Sequence, residues 1–289
     1  MSAKLDRKGN RTMAAKGDNS GFARLDGLAF PQFAPGTVWL VGAGPGAPAL
    51  MTLLGYHALQ NADAVVYDAL VNEEVLGWVR AGAKVEYAGK RGGKPSAKQR
   101  DVSLRLVDLA REGKRVLRLK GGDPLIFGRG GEECQVLAGA GIPFRIVPGI
   151  SAGIGGLGYA GIPATHRETN QSVLFLTGHD SSGAVPSLLD WSKLATATQV
   201  IVMFMAVRNL GQIAGKLVAG GRAAAEPVAI VSNATLPHQS VHQTSLAALA
   251  SGEDLSQVPT PAIVVIGKVV SLRGSLDWYR DALKENGLG

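Results

Sequence analysis

The chain has 289 residues, 46% hydrophobic and 18% charged, a size that favours one large α/β unit or two packed domains and a composition too apolar for a disordered whole. A single cysteine, Cys134, supplies neither an intramolecular disulfide nor a cysteine-rich zinc or iron–sulfur site, and no apolar run approaches the ~18 residues of a membrane span. Of the net charge of +7, the first 36 residues carry about three units, so the rest is mildly basic and, at 6% aromatics, lacks a stacking platform for nucleic acid.

Residues 1–36 mix Lys, Arg, Gly, Ser and Asn with few aliphatics and are expected to form a disordered basic tail. They contain no apolar signal stretch, which leads to the expectation of a cytoplasmic protein. From Thr37 onward, short β-branched runs alternate with helical stretches. Strands are predicted at Thr37–Val41, Ala64–Tyr67, Lys84–Tyr87, Arg115–Leu119 and Phe144–Val147. This alternation implies a parallel sheet covered by helices. One helix opens at Ser96, where Ser96-x-x-Gln99 forms a capping box, continues through Leu104, Val107 and Ala110, and ends near Gly113.

Glycines dominate around Gly153–Gly158, and the polar run THRETNQS follows. A domain boundary is placed between Ile150 and Asn170, dividing an N-terminal α/β domain over 37–151 from a C-terminal α/β domain over 152–289. In the second half, strands are predicted at Val173–Thr177, Val200–Met203, Val228–Ser232 and Ile263–Ile266, with helices at Val207–Val218 and Leu276–Glu285. No repeat of solenoid length is present.

The first strand runs into Val41-Gly42-Ala43-Gly44-Pro45-Gly46-Ala47-Pro48, and glycines at a strand's carboxyl end let a ligand approach the backbone. Gly42, Gly44 and Ala47 satisfy the dinucleotide pattern G-x-G-x-x-G/A, with Asp63 or Asp68 at the distance of a ribose-binding acid. Pro45 and Pro48 remove two backbone donors and weaken that reading. A tight turn without ligand is the plain alternative. Two further strands end in similar turns, at Lys120-Gly121-Gly122-Asp123-Pro124 and at Val147-Pro148-Gly149-Ile150-Ser151-Ala152. Three such turns form one rim of a sheet and suit a compact ligand better than a dinucleotide lying along one loop.

The segments VGAGPGAPALMTL, VVYDALV, GKRGG, RLKGGDPLIFGRGGEE, IVPGISA, GIPATHR and PAIVVIGKVVSLR occur in this order and resemble the uroporphyrinogen-III C-methyltransferases of the tetrapyrrole methylase family. The resemblance covers about Thr37 to Trp278. It implies two α/β domains forming a cleft, a homodimer, and S-adenosylmethionine as methyl donor, with S-adenosylhomocysteine as the product. The reaction it implies is methylation of two pyrrole carbons of uroporphyrinogen III, giving precorrin-2 by way of precorrin-1, which feeds siroheme, cobalamin or heme d1 synthesis.

By the same resemblance the cofactor contacts are Pro45, Gly121, Gly122, Asp123, Ile126, Ser151, Ala152, Met205 and Ala234. Asp68 takes the position of a proton acceptor and Lys90 that of a donor; Arg129, Glu132 and Arg167 take positions assigned to macrocycle binding or its proton transfer. Each has a plainer reading. Asp123 and Asp68 also suit helix or turn caps, Lys90 a solvated basic turn, and Arg129 with Glu132 a helix-terminal ion pair. His57, His179, His238 and His242 lack metal-ligand spacing, Met203 alternates into the core, and Cys134 reads as a small buried residue.

The chain departs from the family where Ala47 replaces Asp, Phe204-Met205 replaces Tyr-Met, Ala234-Thr235 replaces Gly-Thr, and Lys94-Pro95 stands where His is common. These departures leave room for a related precorrin as substrate, or for a member that binds without catalysis. A dinucleotide-dependent oxidoreductase is the remaining enzyme alternative.

Overall fold

In the computed structural model, residues 28–89 and 99–280 are described. The first sheet contains β1 (Val38–Gly42), β2 (Ala64–Tyr67), β3 (Lys84–Tyr87), β4 (Val116–Lys120) and β5 (Phe144–Val147), in the order β3-β2-β4-β1-β5 with every pairing parallel. The interior strands β1 and β2 are continuous apolar runs because both of their faces are covered. Trp39, Val41, Leu117 and Leu119 pack on α1 (Leu53–Asn61), while Val38, Leu40, Val66 and Val116 pack on α2 (Gln99–Arg111) and α3 (Gly130–Gly139). The unit that holds both sheets starts at Phe33, whose buried ring stacks on Trp39 at 4.4 Å.

Helix α2 meets the expected stretch, but its buried stripe is Val102, Leu106, Val107, Leu109 and Ala110, with Leu104 exposed. Ser96 lies outside the described residues, so the expected capping box is not among the observed features.

The second sheet contains β6 (Val173–Thr177), β7 (Val200–Phe204), β8 (Pro227–Ser232), β9 (Ser240–Ser245) and β10 (Ala262–Ile266), in the order β6-β7-β10-β8-β9. It is mixed. Only β6 and β7 run parallel; β10 is antiparallel to both its neighbours, and β8 to β9. Helices α5 (Trp191–Ala197), α6 (Leu210–Ala219) and α7 (Leu246–Ala250) bury one face around Ile201, Met203, Ile230 and Val264. A 3-10 turn at Val207–Asn209 precedes α6, so the predicted helix from Val207 is α-helical only from Leu210. The expected helix at 276–285 is met in part: α8 spans Arg273–Leu276, Asp277 interrupts it, residues 278–280 are helical again, and residues 281–285 lie outside the described residues.

The glycine-rich segment expected at a domain boundary is helix α4 (Ala152–Tyr159). Glycine in a helix interior costs about 1 kcal/mol relative to alanine. Packing explains its use here. A β-carbon on Gly153 would lie 2.7 Å from Phe204, one on Gly155 2.6 Å from Ile150, and one on Gly156 2.8 Å from the Ala234 methyl. The helix fits between the two halves because it lacks side chains at these points.

Asp63 stands just before β2, at the edge opposite the glycine turns, so it is removed as a ribose-binding candidate. It accepts hydrogen bonds from the Arg115 backbone N–H at 2.8 Å and from its guanidinium at 2.9 Å, and pairs with Arg80 at 2.6 Å. The hydrogen bond from the Arg115 side chain is the main cause that lowers the Asp63 carboxyl from 3.8 to about 2. Because the folded-state value is depressed, the stabilisation is complete above the unfolded value and disappears as pH falls through that interval. Asp63→Asn is expected to lower stability by about 1 kcal/mol near neutral pH after allowance for solvent screening, with the difference from wild type closing between pH 4 and pH 2 in urea denaturation.

Candidate active site at the strand ends

Strands β4, β1 and β5 are neighbours, and their carboxyl ends deliver all three glycine turns to one edge of the sheet. Gly122 N–H donates to the Gly44 carbonyl at 2.7 Å, and Gly44 N–H returns to the Gly122 carbonyl at 3.3 Å. A β-carbon on Gly42 would lie 2.5 Å from both the Gly122 oxygen and the Gly149 Cα, and one on Gly149 would lie 2.2 Å from that same oxygen. These glycines therefore serve loop-to-loop packing. Gly121 behaves alike against Leu70, whereas Gly122, at φ +65°, is less crowded, its missing β-carbon meeting only the Ala152 nitrogen, at 3.9 Å.

Asp123 ties the second turn to the third: one oxygen accepts from Leu125 N–H at 2.8 Å and the other from Gly149 N–H at 3.1 Å. Its capping reading is thus realised, and it adds a link between loops. Ser151 caps α4 through Gly153 N–H at 3.3 Å, with Ala152 opening the helix. Pro45 sits beside α4, its Cγ 3.3 Å from the missing β-carbon of Gly155.

The second sheet approaches the same region. Ala47 N–H donates to Thr235 Oγ1 at 2.8 Å, across 188 residues of sequence. Five non-glycine residues of the described chain have left-handed backbone: Phe127 and Arg129 after β4, Met205 after β7, and Asn233 and Thr235 after β8. Each costs about 1–3 kcal/mol, and such strain collects at binding and catalytic loops. Ile126 and Met205 present exposed apolar side chains. Phe204 stands in an aromatic group with Phe127 at 5.0 Å and Phe175 at 6.2 Å, so its lack of a hydroxyl suits apolar surroundings. The extra methyl of Ala234 abuts α4 at Gly156.

Asp68 follows β2, next to β4. Its Oδ1 accepts from Leu70 N–H at 3.0 Å and Gly121 N–H at 3.3 Å, while Oδ2 lies 3.9 Å from Arg118 Nη2. A hollow of about 220 Å³ opens beside it, lined by Tyr67, Asp68, Ala69, Val71, Glu73 and Tyr87. Lys90 lies outside the described residues. Arg129, at the amino end of α3, pairs with Glu132 at 3.3 Å, both more than half exposed, so the expected helix-terminal ion pair forms and leaves the guanidinium open to solvent. Arg167 occupies an exposed turn at the amino end of β6, whereas Met205 follows the carboxyl end of the parallel strand β7; the structure does not bring these two together.

Beneath Asp68 lies a buried ionic cluster that the sequence reading missed. Glu133 is 0% exposed and receives Arg118 Nε at 3.0 Å and Lys120 Nζ at 3.3 Å, the two cations being 4% and 3% exposed. Burial, reinforced by the Arg118 charge, lowers the Lys120 ammonium value. The signal was the alternation in Arg118-Leu119-Lys120, which turns two charges to the same face of a central strand. Cys134 is buried as expected, and burial pushes its thiol up. His57 packs near Trp39 at 6.4 Å, and His242 pairs with Glu253 at 2.8 Å.

A family model described as Tetrapyrrole (Corrin/Porphyrin) Methylases matches residues 37–250. The chain belongs to the tetrapyrrole methylase family. This methylase is 60% identical over 248 residues to a uroporphyrinogen-III C-methyltransferase of Sinorhizobium sp, covering 86% of this chain and 89% of that one. It is 50% identical over 245 residues to a siroheme synthase of Sodalis glossinidius (strain morsitans), of which it spans about half, 51%. A crystal structure of uroporphyrin-III C-methyl transferase from Thermus thermophilus complexed with S-adenyl homocysteine matches with a TM-score of 0.72 at 36% identity, over 82% of this chain and 99% of that one.

The neighbouring glutamates of α3 separate structural from exposed roles. Glu133→Ala strands two buried cations and is expected to cost about 3–5 kcal/mol, whereas Glu132→Ala removes an exposed pair worth less than about 1 kcal/mol. Urea midpoints of the two variants measure the contrast.

Proposed function

We propose that this tetrapyrrole methylase transfers methyl groups from S-adenosylmethionine to two pyrrole carbons of uroporphyrinogen III, giving precorrin-2 by way of precorrin-1. The observation that carries this reading is the meeting of three glycine turns of the first sheet with the strained loops of the second at one edge. The residues present fit the cofactor. Gly122 is the least crowded glycine of the turn and is half-buried, and Ile126 and Met205 offer apolar surface for a flat base. When bound, the cofactor supplies a methyl group already activated by its sulfonium charge.

The chain's residues have three tasks in this reading. The strand-end loops align donor and acceptor, which supplies much of the acceleration in a two-reactant displacement. Cofactor contacts are assigned to Pro45, Gly121, Gly122, Asp123, Ile126, Ser151, Ala152, Met205 and Ala234. The second task is proton removal from the methylated ring. Asp68 suits it because two backbone N–H groups hold Oδ1, leaving Oδ2 to take the proton, with Lys90 assigned as the donor. The third is holding the macrocycle's carboxylates, assigned to the open guanidinium of Arg129 with Glu132 beside it, and to Arg167.

The domain division at 151/152, a homodimeric state, a cytoplasmic location and the absence of a nucleic-acid partner belong to the same proposal; the basic tail expected over 1–36 is shortened, since Phe33 packs on Trp39 and Gly36 N–H donates to the Lys114 carbonyl. No helix among the described residues is long and apolar enough to cross a membrane.

An anaerobic assay with uroporphyrinogen III and labelled S-adenosylmethionine, read by mass spectrometry, is expected to give mono- and dimethylated products; absence of both overturns the reading. Calorimetry is expected to give an S-adenosylhomocysteine Kd on the order of micromolar. Arg129→Ala is expected to raise KM for the tetrapyrrole about tenfold or more with cofactor binding unchanged, and unchanged kinetics return it to a surface ion pair. Asp68→Asn is expected to lower kcat at least about 100-fold, the range lost with a general base.

A further inference from the structure

The carboxyl-terminal segment reaches the first glycine turn through Thr235. This residue is 2% exposed and holds a left-handed backbone at φ 69°. Three of its polar groups are engaged by three different segments. Oγ1 accepts the Ala47 N–H at 2.8 Å, the Thr235 N–H donates to Gln239 Oε1 at 2.7 Å, and the Thr235 carbonyl accepts the Tyr279 hydroxyl at 2.9 Å.

Those partners are themselves anchored to the end of α4. Gln239 Nε2 donates to the Tyr159 carbonyl at 3.0 Å, and Trp278 Nε1 donates to the Gly158 carbonyl at 3.0 Å. The rings of Tyr159, Trp278 and Tyr279 pack on one another at 4.8, 5.0 and 5.6 Å. Burial raises the Tyr279 phenol above its ordinary value, so it remains a donor through the neutral range. On the other side of the turn, Asn72 Nδ2 donates to the Gly46 carbonyl at 3.1 Å. Gly46 itself has no room for a β-carbon, which would stand 2.7 Å from the Ala234 carbonyl and 2.9 Å from Thr235 Oγ1. The turn is thus clamped between the two sheets, and on the second it packs against Ala234 and Leu236 and is hydrogen-bonded through the Thr235 hydroxyl.

We propose that Thr235, held in place by Tyr279 and Gln239, is a positioning residue that fixes the first glycine turn at Ala47 for cofactor binding. The proposal rests on the reading of that turn as part of the S-adenosylmethionine site. Its logic is one of preorganisation: a turn already held in its binding geometry loses less freedom when the ligand arrives. Removing the hydroxyl leaves the Ala47 N–H without its acceptor and takes away the turn's hydrogen bond to the second sheet. Removing the Tyr279 hydroxyl leaves the Thr235 side chain intact and loosens the strained backbone that carries it. The effect therefore falls on the cofactor rather than on the macrocycle.

The test compares Thr235→Val, Thr235→Ser and Tyr279→Phe by calorimetry with S-adenosylhomocysteine and by steady-state kinetics. Thr235→Val is expected to raise both the Kd and the KM for S-adenosylmethionine about tenfold, with KM for uroporphyrinogen III within about twofold of wild type. Thr235→Ser retains the acceptor and is expected to restore wild-type values. Tyr279→Phe is expected to move the same constants about threefold in the same direction. If Thr235→Val does not fold, Tyr279→Phe, which lacks only one hydroxyl, carries the test. Wild-type cofactor constants in Thr235→Val or Tyr279→Phe, or an equal rise in KM for both substrates, overturn the proposal. Wild-type protein that fails to bind S-adenosylhomocysteine overturns the reading of the turn and the proposal with it, so the two failures are distinct.

Discussion

Three strand-end turns of the first sheet touch one another through bare backbone, and the rest of the site depends on that contact. Gly42, Gly122 and Gly149 come so close that a methyl group on Gly42 or Gly149 would overlap main-chain atoms of the neighbouring turns. Dispersion contact at this range is dense and allows little play. The Asp123 carboxylate then bridges the second and third turns, and the paired hydrogen bonds of Gly44 and Gly122 join the first to the second. A rim of this kind presents peptide groups and few side chains, which suits recognition by close backbone approach.

The second sheet completes the arrangement through α4. This helix passes between the two halves with glycine wherever a side chain would meet Phe204, Ile150 or Ala234. Its low intrinsic helical preference is outweighed by that fit, with Leu157 fully buried and Ser151 capping its start. The left-handed residues at Met205, Asn233 and Thr235 follow β7 and β8, while Phe127, whose ring lies 5.0 Å from that of Phe204, and Arg129 follow β4. Strain distributed over the strand-end loops of both sheets is consistent with loops shaped by what they bind rather than by the fold alone.

Much of this was legible in the residues. The first sheet's strands and the location of its three glycine turns follow from β-branched runs ending in Gly and Pro, because a parallel strand buried on both faces leaves a continuous apolar signature. The second sheet was harder. Ser240–Ser245 is a half-exposed edge strand without an aliphatic run, so its pairing with β8 leaves little local trace. The glycines of α4 read as a break because their reason is tertiary. Asp63 and Asp68 bracket one strand and look equivalent in one dimension, yet they sit at opposite ends of the sheet. The dense turn motif obscured a different feature, the ionic cluster of Arg118, Lys120 and Glu133, since charges on a central strand become intelligible only once their partner on α3 is in place. Thr235 was noted only as the neighbour of Ala234; its contact with Ala47 spans too much chain for any sequence pattern to reveal.

The position of β1 has a consequence for biosynthesis. It is the first strand among the described residues and an interior strand of its sheet, with partners that begin only at Val116 and Phe144. Emerging from a ribosome, this segment waits through roughly 75 further residues before β4 begins and roughly 100 before β5 does, a delay typical of topologies with distant pairings. Nothing shorter than the segment through β5 can assemble the rim, and nascent chains truncated before β4 carry an apolar strand with neither of its described partners.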